Sequence, residues 1–194
     1  MTHHPLEVVV IGCSAGGIEA LHTLLPALPP DFPLPVVVVI HLSSGAPTLL
    51  PQVLQTGCTL PVIEAEERQP LRPGCIHVAA PDYHLLIEPD HTFALSADAK
   101  VNNSRPAIDL TFISAAEVWG AGVLAILLTG ASADGARGMQ AVKARGGICI
   151  VQDPATAQAP AMPAAAIATG VADHIAKLDE ITGIVVSLCC ISDR

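Results

Sequence analysis

The sequence predicts an α/β protein with an open, mostly parallel, doubly wound sheet, helices on both faces and a small antiparallel hairpin insertion. Hydrophobic residues make up 51% of the 194 residues and aromatic residues only 3%, so aliphatic side chains must fill the core. That composition suits a buried parallel sheet covered by helices. Short aliphatic runs also alternate with helical patterns along the chain, which is the element order of a parallel α/β sheet.

The first third of the chain contains three apolar runs and two helical patterns. We expect strands at residues 7–11, 36–40 and 61–65, because each is a short run rich in β-branched residues. Helices are expected at residues 17–28 and 46–55. The order strand, helix, strand, helix, strand is that of consecutive parallel strands joined by crossover helices.

The middle of the chain changes character. Three short strand-like runs, at residues 75–79, 84–88 and 92–95, are separated by Pro-Asp turns. Such spacing predicts a hairpin or meander near residues 75–96, which is the expected antiparallel insertion.

The rest of the chain returns to the alternating pattern. Helices are expected at residues 107–119 and 135–145, strands at residues 123–128 and 148–151, and the last third is expected to be mostly helical. No linker, repeat or low-complexity segment interrupts the elements, and 194 residues is the length of one domain.

Charge and targeting signals exclude several classes of protein. The formal charge is −9, and the nine Lys and Arg residues form no cluster, so a nucleic-acid partner is not expected. The N-terminus lacks a signal peptide and its apolar run is too short for a membrane span, so we expect no membrane insertion and a cytoplasmic location. Six cysteines follow neither a disulfide framework nor a metal-binding pattern, so free thiols and no metal are expected. They are Cys13, Cys58, Cys75, Cys149, Cys189 and Cys190.

Three of the predicted strands end in residues that carry chemistry. Ser14 lies in a G-x-S-x-G sequence at residues 12–16, His41 follows the second strand, and Asp134 lies in the loop after the strand at residues 123–128. Ligands of open α/β sheets bind at the carboxyl ends of the strands. Flanking glycines permit a sharp turn that exposes a seryl oxygen, a histidine can take its proton, and a carboxylate can orient that histidine. The sequence therefore predicts a Ser-His-Asp triad.

Each of these residues also has a simpler explanation. A glycine-rich first turn is often a nucleotide site, but the G-x-G-x-x-G pattern fails because Ser14 replaces its second glycine. His41 alone could be a structural hydrogen-bonding residue, and Asp134 alone could cap the helix predicted from Gly135. Only their coincidence at three strand ends favours catalysis.

Five segments in a fixed order identify a resemblance. They are VVVIGCSAGG (8–17), VVVVIH (36–41), VNNSRPAIDLTF (101–112), LLTGASADGARGM (127–139) and VQDPATAQAPAMPAAAI (151–167). On these segments the chain resembles the catalytic domain of the CheB family of chemotaxis protein-glutamate methylesterases, from about residue 7 to about residue 188.

The resemblance implies a function and a set of site residues. The family's catalytic serine, histidine and aspartate correspond to Ser14, His41 and Asp134. The implied reaction is hydrolysis of glutamate methyl esters on the signalling helices of methyl-accepting chemoreceptors, with water as the second reactant and, in many members, deamidation of receptor glutamines. Backbone amides near Ala15 and Ala131 are then candidate oxyanion donors. No cofactor is expected.

The chain departs from the family pattern in several places. The family usually has threonine where this chain has Ala15, and Met-Gly where it has Ala131-Ser132, so we expect a difference in rate or specificity and not in reaction class. Arg105 matches a position lining the family's cleft, where it could bind acidic receptor side chains or form a structural salt bridge. Full-length members carry an N-terminal receiver domain, for which the first residues leave no room, so one catalytic domain over residues 1–194 is expected.

Three alternatives to this function stay open at the level of the sequence. The chain could be a related serine esterase or amidase with another substrate. It could be a non-catalytic binding module that retains the fold. A thiol mechanism through Cys13 is a third alternative, which would require that side chain to face the site and not the sheet.

Overall fold

The computed structural model describes residues 5–41 and 49–189. Seven of the strands in these residues form one sheet, and every neighbouring pair in it is parallel. The other two pair antiparallel as a hairpin. In chain order the strands are β1 (Val8–Cys13), β2 (Val36–Ile40), β3 (Val62–Glu64), β4 (Ile76–Val78), β5 (His84–Ile87), β6 (Phe93–Ser96), β7 (Val123–Leu127), β8 (Ile148–Gln152) and β9 (His174–Ala176).

Helices cover both faces of the sheet, as the sequence predicts. The α-helices of the described residues are α1 (Gly17–Leu24), α2 (Leu50–Gln55), α3 (Ile108–Trp119), α4 (Ala136–Ala144), α5 (Ala161–Ala168) and α6 (Leu178–Cys189). Helices α1, α2 and α6 pack against one face. Helices α3, α4 and α5 pack against the other face together with the β5–β6 hairpin. None of the described helices has the length and apolarity needed to cross a membrane.

The winding of the chain reverses beside the first strand. The order across the sheet is β3-β4-β2-β1-β7-β8-β9, so the chain first builds outward from β1 on one side and then returns to build on the other. In open α/β sheets, such a reversal leaves a crevice above the carboxyl ends of the two central strands, where ligands bind. Here those strands are β1 and β7.

The central strands are hydrophobic throughout because both of their faces are covered. Every residue of β1, β2 and β7 is buried. Along β1, Val9 and Ile11 pack in the cluster that includes α1 and α6, whereas Val8 and Val10 pack in the cluster that includes α3 and α4. Two-sided burial explains why these strands read as continuous aliphatic runs and not as alternating patterns.

One expectation about an individual element is wrong, one is incomplete, and one falls partly outside the described residues. The run at residues 75–79 does not belong to the antiparallel insertion, because β4 pairs in parallel with β2 and β3. Only β5 and β6 form the hairpin. The mostly helical last third also contains a strand, β9, which pairs with β8. The helix expected at residues 46–55 begins at Leu50, and residues 46–48 lie outside the described part.

Candidate active site

Strand register brings Ser14 and His41 to neighbouring strand ends. Cys13 pairs with Ile40 across β1 and β2, so the residue that follows each strand lies at the same edge. The backbone N–H of His41 donates to the carbonyl of Cys13 over 3.2 Å. On the other side of β1, the backbone N–H of Ser14 donates to the carbonyl of Thr129 over 2.9 Å. The half-buried Ser14 therefore lies between the ends of β2 and β7.

A glycine-dependent turn joins Ser14 to helix α1. Gly16, which precedes the helix, has a φ of 76°, a left-handed backbone conformation that residues other than glycine rarely adopt. A Cβ atom at Gly16 would also lie 2.4 Å from Oε1 of Gln158. The N–H of Gly17 donates to the carbonyl of Ser14 over 2.7 Å, which closes the turn. Ser14 is thereby held just before a helix N-terminus, whose positive end favours developing negative charge.

Asp134 is fully buried and accepts hydrogen bonds on both carboxylate oxygens. Its Oδ2 lies 2.8 Å from Nε2 of His41 and accepts the N–H of Ile108 over 2.7 Å. Its Oδ1 accepts from the Asn102 side-chain amide and the Asp109 N–H, each over 3.1 Å. The carboxylate therefore caps the N-terminus of α3, not only α4 as the simpler explanation from sequence had it.

The hydrogen bonds keep Asp134 ionised in spite of its burial. Burial alone would raise the pKa of Asp134, because a carboxylate loses hydration in the interior. The hydrogen bonds that it accepts, that of the His41 ring first among them, outweigh this penalty and hold the pKa below its usual value. An anionic Asp134 can only accept, so the paired ring nitrogen of His41 carries a proton.

A second buried carboxylate, Asp109, lies next to Asp134. Its Oδ1 accepts the N–H groups of Gly138 over 2.7 Å and of Gly135 over 2.9 Å, so it caps helix α4. Burial raises the pKa of Asp109, and the neighbouring charge of Asp134 also acts in that direction. The Asn102 side chain bridges the two carboxylates, donating to Asp109 over 3.0 Å as well as to Asp134.

The other ring nitrogen of His41 faces a different serine. Nδ1 of His41 lies 3.3 Å from Oγ of Ser104. Within residues 5–41 and 49–189 the structure records no hydrogen bond between the Ser14 hydroxyl and His41. The described hydrogen-bonded array is therefore Ser104–His41–Asp134, with Ser14 at the adjacent strand end.

Thr129 ties the two loops that carry the candidate oxyanion donors. Its hydroxyl donates to the carbonyl of Ala15 over 2.8 Å and accepts the N–H of Ala159 over 2.9 Å. Ala15 is thus held close to Thr129, which lies two residues before Ala131 in the loop after β7. Neither the Ala15 nor the Ala131 amide donates to an acceptor within the described residues. Ser132, the departure beside Ala131, accepts the Asp134 N–H over 3.3 Å and so braces the Asp134 loop.

Arg105 lies in a cleft next to His41, which is lined also by Lys100, Ser104 and Asp82. Its Nη1 donates to the carbonyls of Ala97 and Asp98 over 2.8 and 2.9 Å. Among the described residues it forms no salt bridge, so the structural ion pair considered from the sequence is not found there. The guanidinium is held at the cleft by backbone carbonyls and not by a carboxylate.

The Cys13 thiol faces away from the site. Cys13 is completely buried in the cluster under α1, and burial raises its pKa far above the usual range. A thiol mechanism requires a thiolate that substrate can reach. The structure therefore argues against the thiol alternative. Within the described residues no group of His, Cys, Asp and Glu side chains could hold a metal ion.

Comparison with known proteins agrees with this architecture. Residues 9–185 match the family model of the CheB methylesterase. The chain belongs to the CheB methylesterase family. The crystal structure of the Thermotoga maritima CheB methylesterase catalytic domain superposes with a TM-score of 0.91 at 36% identity, covering 95% of this chain and 100% of that one. The predicted family, fold class and hydrolase class are thus confirmed.

Relatives within the CheB family differ in length. The protein-glutamate methylesterase/protein-glutamine glutaminase of T. maritima is 38% identical over 172 residues, which is 87% of this chain and 50% of that protein. The protein of the same name from Symbiobacterium thermophilum is 37% identical, and the match covers 91% of this chain and 49% of that protein. A Leptospira interrogans protein given this name provisionally is 42% identical over 94% of both chains.

Sequence reasoning found the strand-end residues but missed their partners. Asn102, Ser104 and Asp109 all contact the Asp134–His41 pair, and none was singled out as a site residue. The available signal was the VNNSRPAIDLTF segment, which carries the family resemblance and from which only Arg105 was chosen. Its polar residues immediately precede or begin α3, the helix whose N-terminus points at Asp134.

Proposed function

We propose that the chain is a protein-glutamate methylesterase in which Ser14 is the nucleophile, His41 the general base and Asp134 the residue that orients His41. The observation that carries the proposal is the 2.8 Å contact between His41 Nε2 and the buried Asp134 carboxylate, with Ser14 at the adjacent strand end by the winding reversal. A serine hydroxyl next to a carboxylate-paired imidazole is the arrangement used for acyl transfer.

The reaction proceeds in two balanced steps. Ser14 Oγ attacks the ester carbonyl while His41 Nδ1 takes the seryl proton, and that proton then leaves with methoxide as methanol. Water attacks the resulting acyl-enzyme, His41 accepts one of its protons and returns it to Ser14, and a glutamate side chain is released. Negative charge on the carbonyl oxygen is met by the amides of Ala15 and Ala131. A glutamine substrate follows the same path with ammonia as the leaving group.

The substrate we propose is a methyl-accepting chemoreceptor in the cytoplasm. Each glutamate methyl ester that is hydrolysed leaves a carboxylate, so a partly demethylated substrate surface is negatively charged. Arg105 and Lys100 place two cations in the cleft beside His41, against the one carboxylate of Asp82, in a chain whose net charge is −9. Local positive charge in an acidic protein favours docking of that surface.

Replacement of Ser14 tests the proposal. With a methylated receptor fragment as substrate, we expect S14A to lower the rate of methanol release by about 10³-fold or more, because an acyl-enzyme can no longer form. Ser187→Ala, a serine-to-alanine change at an exposed position of α6, is the matched control and keeps the wild-type rate. Wild-type activity in S14A would make the chain a binding module or assign another nucleophile. Hydrolysis of small esters without methanol release from the receptor would point to a related esterase.

A further inference from the structure

Ser104 is held rigidly beside His41. Its N–H donates to the carbonyl of Val101 over 2.8 Å, and the N–H of Val101 donates back to the carbonyl of Ser104 over 3.1 Å. The two residues inside this turn, Asn102 and Asn103, have φ values of 51° and 62°. Left-handed residues of this kind are typical of a tight two-residue turn. The Asn102 side chain fastens the turn to Asp134, so Ser104 Oγ is positioned relative to the same carboxylate that holds the His41 ring.

Proton positions make Ser104 a competitor of Ser14. Because Nε2 of His41 donates to the Asp134 carboxylate, a neutral His41 ring has its lone pair on Nδ1. The Ser104 hydroxyl, 3.3 Å away, must then donate its proton to that lone pair. General-base catalysis needs the same lone pair for the Ser14 proton.

We propose that the Ser104 hydroxyl occupies His41 Nδ1 in the free enzyme and is displaced when substrate binds. The inference rests on the proposed roles of Ser14 and His41. Ser104 also lines the cleft that contains Arg105 and Lys100, so a substrate docking on those cations reaches the Ser104–His41 contact. Binding thereby frees the lone pair for Ser14. In the free enzyme Ser14 is then a weak nucleophile. Small reactive compounds do not fill the cleft, so they leave the Ser104–His41 contact in place.

Removal of the Ser104 hydroxyl should therefore accelerate reactions that start from the free enzyme. The measurement is the second-order rate at which a small phosphonofluoridate labels Ser14, with the labelled residue identified by mass spectrometry. We expect S104A to increase that rate by about two- to tenfold over wild type, since a single neutral hydrogen bond of this length is weak. The variant S187A is again the matched control and should label at the wild-type rate.

A second pair of variants separates the hydroxyl from any change of packing. Valine and threonine have the same shape, but only threonine carries a hydroxyl. We expect S104V to label faster than S104T by the same factor by which S104A exceeds wild type. With the methylated receptor, kcat/KM should rise in S104A while kcat stays unchanged, because the contact is already broken in the bound complex.

The outcomes distinguish this inference from the proposed function. Equal or slower labelling of S104A and S104V relative to their hydroxyl-bearing partners would overturn the inference while leaving Ser14 as nucleophile. Label on Ser104 in the wild type, with none on Ser14, would overturn the proposed function itself. A parallel loss of kcat and kcat/KM in S104A and S104V, but not in S104T, would show that Ser104 assists His41 and would also refute competition.

Discussion

The two buried carboxylates of the site differ in what surrounds each oxygen. Both oxygens of Asp134 accept at least two hydrogen bonds, from the His41 ring and backbone N–H groups among others. By contrast, Oδ1 of Asp109 accepts from two backbone N–H groups, whereas its Oδ2 accepts, among the described residues, only from the Asn102 side chain. If asparagine replaced Asp134, its NH₂ group would face several hydrogen-bond donors in either orientation of the amide. If asparagine replaced Asp109, its NH₂ group could face the Asn102 side chain, which can rotate away.

Matched amide substitutions should therefore have unequal effects. We expect D134N to lower the free energy of unfolding by about 3 kcal/mol, because buried donors lose a charged acceptor. It should also lower the esterase rate by about 10³-fold or more, because His41 loses its orienting partner. D109N should cost about 1 kcal/mol and retain most of the activity. Urea unfolding and methanol release measure the two effects, with D98N as an exposed control, and equal losses in both variants would contradict the assignment.

The stabilisation by Asp134 has a definite pH dependence. Its pKa is lowered in the folded chain, so its contribution is fully present above the unfolded value near 4 and is lost as pH falls through the lower folded pKa. The difference in unfolding free energy between wild type and D134N should therefore shrink as the pH is lowered from 5 toward 2. A difference that stays constant over this range would show that hydrogen-bond geometry, and not charge, carries the effect.

At the residue scale, sequence points most directly to side chains at the ends of predicted strands. Ser14 and His41 follow their strands at once, Asp134 lies in the loop after β7, and the structure places the three near one another. Their catalytic roles stay a prediction. Ser104 escaped because its contact with His41 joins residues 63 positions apart in a segment with neither strand nor helix. No periodicity specifies which side chain a turn presents to a distant ring.

At the scale of elements, the site depends on loops that glycine allows to approach the sheet closely. Gly135 has a φ of 94°, and a Cβ atom there would lie 2.5 Å from Cδ1 of Leu127 and 3.0 Å from Cγ2 of Ile108. Gly170 has a similar left-handed φ of 76°, but no atom lies within 4 Å of the position of its Cβ. Comparison of the two positions separates the cost of backbone strain from the cost of steric crowding, because Gly135, unlike Gly170, packs between β7 and α3.

Alanine at these two glycines should have different costs. G170A pays only the left-handed backbone penalty, about 1 kcal/mol of unfolding free energy. G135A adds overpacking against Leu127 and Ile108 and should cost about 3 kcal/mol. Because it also shifts the Asp134 loop, its esterase rate should fall while that of G170A does not. Thermal unfolding and methanol release measure both, and equal destabilisation would show that the core around Gly135 yields without cost.

Element prediction failed where only tertiary pairing decides. The three residues of β4, Ile76–Val78, look like the first strand of a meander because a Pro-Asp turn follows them. They pair in parallel with β2, which is far away in sequence and which no local pattern specifies. Strand β9 was missed for a related reason, since two of its three residues are exposed at the sheet edge and show no apolar run.

The whole molecule is built on two hydrophobic clusters, one on each face of the sheet. Each cluster contains a completely buried cysteine. Cys13 lies in the cluster under α1, and Cys149 lies in the cluster under α4. Burial raises the pKa of Cys149 to about 12 and also raises the pKa of Cys13. Cys58 is only half-buried, at the end of α2, and its pKa is raised as well.

These thiols should therefore measure local and global opening separately. Alkylation requires an accessible thiolate, so Cys58 should react after local fraying of α2, whereas Cys13 and Cys149 should react only when the sheet itself opens. For a domain with typical stability, that protects them by at least about 10³-fold relative to the unfolded chain. Mass spectrometry after pulses of iodoacetamide in increasing urea measures the rates. If the two clusters form one cooperative unit, Cys13 and Cys149 should become reactive at the same urea concentration, and two separate midpoints would show that the faces of the sheet unfold independently.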